Sequence, residues 1–128
     1  MGTTPDNQTI LVSCKIEGAI TEAAKFAAAI CPAFMQAVSL KWPEKTVVAL
    51  ADDTLDAKGT VIELSTEIQS NAATVSTLRW GAVDQWAKGT ARTSDEMTMQ
   101  VMDGTLAGSM AEQLTRDILS VNAAVIFD

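Results

Sequence analysis

Residues Thr60–Trp80 read TVIELSTEIQSNAATVSTLRW, and the spacing of their apolar side chains decides the fold class. From Thr60 to Ile68 the chain alternates: Ile62, Leu64, Thr66 and Ile68 face one way, and Val61, Glu63, Ser65 and Glu67 the other. A period of two belongs to a strand with one face buried. Gln69-Ser70-Asn71-Ala72 is a polar turn, and Thr74–Trp80 reads as the return strand. Gly81–Asp84 makes a second turn and Gln85–Arg92 a further strand, so this part of the chain predicts a three-stranded antiparallel meander.

Toward the N-terminus, Thr9–Glu17 alternates in the same way, with Ile10, Val12, Cys14 and Ile16 on one face. Gly18 ends that strand. Thr21 can cap a helix over Glu22–Leu40 whose apolar stripe is Ala24, Ala27, Ala28, Cys31, Phe34, Met35 and Val38. Pro32 lacks an amide hydrogen and clashes one turn back, which predicts a kink or break near Cys31. Thr46–Ala51 is short and rich in β-branched residues, as in a buried strand. On the C-terminal side, Ser94 can cap a helix, and Met102, Leu106, Met110, Leu114 and Ile118 recur every four residues. The strong helix is expected over Asp103–Val121, with Ala124–Phe127 as a short docking tail.

The fold class that follows is α+β: a mixed sheet of about five strands that includes the meander, with two helices packed on one face. Residues 9–128 form one domain after a flexible segment 1–8. The 128 residues are 48% hydrophobic and 20% charged, enough for one core.

Nine basic against sixteen acidic side chains give a formal net charge of -7. Phosphate backbones are bound by neutralising them with basic residues, so nucleic acid is not an expected partner. No stretch approaches the roughly 18 apolar residues of a membrane span. Residues 1–8 carry no signal peptide. Their polar, threonine-rich character suits a mature exported protein after leader removal, a reading favoured slightly over a cytoplasmic one.

Histidine is absent, which removes Ser-His-Asp and Cys-His nucleophiles, imidazole acid–base groups and histidine metal ligands. No catalytic residue and no cofactor is assigned. The carboxylates of Asp52, Asp53 and Asp56 follow a strand, and with Glu63 they echo the spacing of a calcium loop. Ala57 stands where that loop needs glycine, so a solvated loop is the simpler reading. In Gly104–Ser109 the glycines have no lysine to reach phosphate, and they read as a place where a helix approaches the sheet.

Cys14 and Cys31 lie on successive elements. Two buried thiols are the commoner state for such residues, while a disulfide across the strand–helix packing is also open. Trp80 and Trp86 flank the predicted second turn. They read either as cross-strand packing or as an exposed aromatic pair for a protein partner. Met97, Met99, Met102 and Met110 read as core filler, with an adaptable binding surface as the alternative.

From about Ala27 onward, the order helix, strand, meander, helix resembles bacterial envelope domains: the N-terminal domain of the Tol-Pal protein TolB, and auxiliary lipoproteins of lipid-transport ABC systems. The resemblance is carried by Lys58-Gly59-Thr60-Val61 opening a hairpin, by Thr74–Leu78 and Trp86, and by Gly104–Ser120 with Arg116-Asp117-Ile118-Leu119. The chain departs from that group in having no lipid-attachment cysteine near its start and in its glycine pair Gly104 and Gly108. The resemblance implies a non-enzymatic, protein-binding part of an envelope assembly. The expected function is therefore a non-catalytic interaction or accessory domain, working through a protein partner or self-association. The alternatives are a small-ligand or cation-binding domain, or a carboxylate enzyme, built on the Asp52/Asp53/Asp56 loop, and a mainly structural oligomer subunit.

Overall fold

In a computed structural model that describes residues 9–18, 20–51, 59–102, 104 and 106–126, the elements alternate at first and then run sheet-rich. Their order is β1 (Thr9–Glu17), α1 (Ala24–Lys41), β2 (Thr46–Ala49), β3 (Thr60–Ser70), β4 (Ala73–Ala82), α2 (Val83–Lys88), β5 (Arg92–Thr93), β6 (Met97–Gln100) and α3 (Gly108–Ile126). The sheet runs β2-β1-β3-β4-β5, with β6 also on β4. β2 and β3 are parallel to β1, whereas β4 is antiparallel to β3, and β5 and β6 to β4. The protein is thus an α+β fold on a mixed sheet, with the long helices α1 and α3 packed together over one face.

The alternation in Thr60–Trp80 has the expected outcome. Ile62, Leu64 and Ile68 of β3 join Leu78 and Trp80 of β4 and Ile10 and Val12 of β1 beneath the helices. Phe26, Ile30 and Phe34 of α1 and Leu114, Ile118 and Leu119 of α3 fill the space above them, all essentially inaccessible. Burying side chains of this size stabilises by about 1.5–3 kcal/mol each. That sum offsets much of the conformational entropy lost on folding.

Several expectations are corrected. The meander's third strand is not Gln85–Arg92. Val83–Lys88 forms helix α2, and the third strand is split into β5 and β6. Asp84 in its first turn and Lys88 in its last suit the helix dipole, and Gln85 Oε1 accepts the Ala82 amide proton at 3.1 Å. Gly89, at φ 74°, then ends the turn in the left-handed conformation.

Ser94 caps no helix. Its amide donates to the Leu78 carbonyl and its hydroxyl accepts the Leu78 amide proton, so pairing with β4 overrides local helical signals up to Gln100. α3 starts at Gly108 and continues to Ile126, which takes up Ala124–Ile126 as its last turn instead of a separate tail.

The remaining corrections concern α1, β2 and the glycines. α1 runs unbroken through Pro32. Pro32 and Ala28 both lie on the exposed side, so the Ala28 carbonyl that loses its amide partner is left to solvent. Its buried stripe is Phe26, Ile30, Phe34, Ala37 and Val38, with Ala24 and Ala28 exposed, because a face centred on the alanines would leave two large side chains in water. Thr21 starts a 3-10 turn over Thr21–Ala23 and makes no side-chain cap. β2 is a half-exposed edge strand, shorter than the buried Thr46–Ala51. Gly108 approaches α1, where an added Cβ would lie 3.9 Å from Ala29 Cβ, so the glycine serves helix–helix packing and not a sheet.

Candidate functional site

The sheet face away from the two long helices carries the chain's polar chemistry. It presents Ser13, Lys15 and Glu17 from β1, Glu63, Ser65 and Glu67 from β3, and Val75, Thr77 and Arg79 from β4. The β1–β3 register sets Ser13 against Glu63, and the β3–β4 register sets Glu63 against Arg79. At one end of this face Leu11 and Val61 are fully buried, and Glu63 is only 4% exposed. A carboxylate so placed must be hydrogen-bonded or paired. The Ser13 hydroxyl donates to Glu63 Oε2 at 2.9 Å, and Lys15 Nζ lies 3.7 Å from the same oxygen. Arg79, opposite, places its guanidinium over the Trp86 ring at 4.4 Å.

This group ties strands together. Ser13 faces a carboxylate but has no imidazole to take its proton, and Lys15 holds its ammonium toward solvent with a side chain 63% exposed. Farther along, Lys15, Glu17, Ser65, Glu67, Thr77 and Glu96 line an open, acidic trough of about 200 Å³. Among the described residues, no three or more His, Cys, Asp or Glu side chains converge to hold a metal ion. Asp52, Asp53 and Asp56 of the calcium-like spacing lie outside the described residues. Glu63, its fourth member, already has its Ser13 and Lys15 partners.

Trp80 and Trp86 do not meet across a hairpin. Trp80 faces the long helices, 4% exposed, with Arg92 of β5 5.8 Å from its ring. Trp86 sits half-buried on α2, over Arg79 on the opposite sheet face. Among the described residues, Trp80 Nε1 and Thr74 Oγ1 are buried with no hydrogen-bond partner. Cys14 and Cys31 form a disulfide between β1 and α1. Met97, Met99 and Met110 pack half-buried on the core, whereas Met102 is 90% exposed.

The sheet's edges are a further feature. Among the described residues, β2 pairs with β1 alone and only from Thr9 to Val12, so Ser13–Glu17 has no strand beyond it on that side. The opposite edge is formed by β5 and β6. α1, which packs on β1 and β2, has no charged residue between Lys25 and Lys41, although its side chains at Ala28, Pro32, Gln36, Ser39 and Leu40 are exposed. α3 exposes Glu112, Arg116 and Asp117 instead. The charge-free run was readable in the sequence, but its exposure was not.

No family model matches this chain, and no curated protein does. Among solved structures, it is similar to a one-residue variant of PelC from Paraburkholderia phytofirmans, crystallised as a dodecamer in space group C2. The TM-score is 0.62 at 12% identity, over 91% of this chain and 87% of that one. A PelC dodecamer from the same organism in space group P6 gives 0.52 at 13%, over 92% and 88%. At such identities the likeness concerns the fold. Among the described residues, no helix is long and apolar enough to cross a membrane.

Proposed function

We propose that this domain is a non-catalytic subunit of a homo-oligomer, acting through contact with further copies of itself as an accessory part of an envelope assembly. The observation that carries the reading is the likeness, along nearly the whole chain, to PelC chains solved as dodecamers. Two features of this molecule agree with it. The sheet ends at both sides in strands with free edges among the described residues, and such edges are templates for pairing with another chain. The helix next to one edge exposes uncharged side chains in a chain of net charge -7, and charge is what interface centres lack. The Cys14–Cys31 disulfide supports an oxidising, exported setting, where such bonds persist. The resemblance to TolB N-terminal-like and lipoprotein-like domains is part of the same proposal.

The test is the mass in solution by light scattering across a wide concentration range. A multiple of the 13.5 kDa chain mass is expected. Only 13.5 kDa at every concentration rules the reading out.

A further inference from the structure

We infer that the open half of β1 is a docking site for an extended strand of a different polypeptide, one that alternates bulky apolar with basic residues. This goes beyond the homo-oligomer reading, which concerns contacts between copies, and it stands whether or not copies associate.

The site starts from the direction of backbone groups. Leu50 donates its amide proton to the Val12 carbonyl at 2.8 Å, so Val12 turns its backbone polar groups toward β2. In a parallel ladder a residue sends its N–H and C=O to one side, and the next residue sends its own to the other. Cys14 and Ile16 therefore point theirs the same way as Val12, while Ser13, Lys15 and Glu17 bond to β3. β2 ends at Ala49, opposite Val12. Among the described residues, Cys14 and Ile16 thus present two amides and two carbonyls to a lane that no strand fills.

α1 forms one wall of that lane. α3 lies on the side of α1 that carries Ala29, Ala33 and Ala37. Helical steps of about 100° put Ala24, Ala27, Ala28 and Cys31 on the opposite flank, and the bond from Cys31 to Cys14 holds this flank beside β1. α1 runs back along β1, so the three alanines lie toward the Ile16 end. Ala24 and Ala28 are exposed, and Ala27, Cys14 and Ile16 are half-buried. Paired residues of neighbouring strands project to the same sheet face, so those opposite Cys14 and Ile16 would point at this wall. Its small side chains leave room for branched or aromatic ones, whose burial removes apolar surface from water on both partners.

The other face of the added strand meets charge. Residues opposite Lys15 and Glu17 would emerge at the rim of the trough, where Glu17, Glu67 and Glu96 stand against Lys15, itself already beside Glu63. Basic side chains find opposite charge there, and acidic ones are repelled. The edge strands of this chain do not supply the pattern. β2 is Thr46-Val47-Val48-Ala49 and β6 is Met97-Thr98-Met99-Gln100, both without a basic residue, and β5 is only Arg92-Thr93. The donor is therefore another protein. Main-chain hydrogen bonds would give such a complex its affinity, and the alternate side chains its selectivity.

A capped seven-residue peptide of alternating lysine and valine tests this, added to the oxidised full-length chain and followed by amide NMR. Shifted signals and slowed hydrogen exchange are expected at Cys14 and Ile16. A scrambled peptide with its valines together is expected to leave both unchanged. Only one edge of an added strand meets β1, so N-methylating the lysines alone or the valines alone should have unequal effects. One form is expected to bind roughly tenfold more weakly or worse, and the other to bind normally. Ile16→Pro removes an outward amide, and Ala28→Trp fills the lane; each is expected to weaken binding about tenfold. Ala28→Trp decides if Ile16→Pro does not fold. Glu17→Lys is expected to weaken the lysine peptide by up to about fivefold and to favour its glutamate counterpart. Equal binding of the two N-methylated forms overturns the inference, as do shifts confined to the trough. Wild-type multimers whose mass falls in Ile16→Pro would give this edge to a second copy, overturning the inference while the homo-oligomer reading stands.

Discussion

Cys14 in β1 and Cys31 in the middle of α1 are bonded, with Cα atoms 5.7 Å apart and a separation of 17 positions in sequence. The bond ties the first strand to the helix that follows it, on the sheet face where the core lies. Cross-linking a loop of this length lowers the entropy of the unfolded chain and is worth about 3 kcal/mol. The double variant Cys14→Ala/Cys31→Ala is expected to be less stable by that amount in urea unfolding, with a steeper dependence on denaturant because its unfolded chain is more expanded. Reducing the wild type should give the same loss. Equal stability of the oxidised and reduced protein would contradict the prediction.

Glu63 and its two partners differ in what they contribute. The Ser13 hydroxyl donates to a nearly buried carboxylate, and hydrogen bonds to charged groups are worth about 1.5–3 kcal/mol. Lys15 is mostly exposed, and such ion pairs contribute about 0–1 kcal/mol. Ser13→Ala is expected to destabilise by about 2 kcal/mol in urea unfolding, and Lys15→Met by less than about half of that. Glu63→Gln keeps an acceptor for Ser13 and should cost less than Glu63→Ala, which leaves both a void and an orphaned hydroxyl. A larger loss for Lys15→Met than for Ser13→Ala would show the ordering to be wrong.

The parts of the fold readable in the sequence are those whose pattern is local and strong. In Thr60–Ile68 every second residue is apolar or β-branched, and β3 lies there with the expected face inward. The Gln85–Arg92 segment held no such pattern. Its helix depends on Gln85 reaching back to Ala82 and on the Gly89 cap, which become visible only when the backbone is drawn. Met97–Gln100 is neutral in itself and becomes a strand because the β4 edge offers it hydrogen bonds. The same holds for the candidate site. The faces of Ser13 and Glu63 were legible, but their meeting depends on a parallel register between strands separated by a helix and β2. That β2 is an edge, and hence that α1 flanks an open side, is likewise a property of strand order that no local pattern encodes.

Gly18 and Gly89 share φ 74° but not their surroundings. Around Gly89 an added Cβ would meet nothing within 4 Å, so Gly89→Ala costs only the left-handed backbone, about 1 kcal/mol. At Gly18 the added carbon would run into the Ile68 carbonyl oxygen, backbone that cannot turn away. Gly18→Ala is therefore expected to lower the melting temperature clearly more than Gly89→Ala. Equal shifts would mean that the close approach of Gly18 to β3 is not retained in solution.

Thr74 and Thr66 are both buried threonines, and they should respond in opposite directions to the same change. Thr66 Oγ1 and Ser76 Oγ lie 2.9 Å apart in a buried hydrogen bond. Among the described residues, Thr74 Oγ1 is buried without a hydrogen-bond partner. Valine has nearly the shape of threonine and no hydroxyl, so Thr74→Val removes the cost of desolvating an unpaired polar group and should stabilise by about 1 kcal/mol. Thr66→Val instead leaves Ser76 with the unmet hydroxyl and should destabilise by about 1–2 kcal/mol. Urea unfolding of the two single variants reads the signs directly. A loss of stability in Thr74→Val would mean that its hydroxyl has a partner in solution after all.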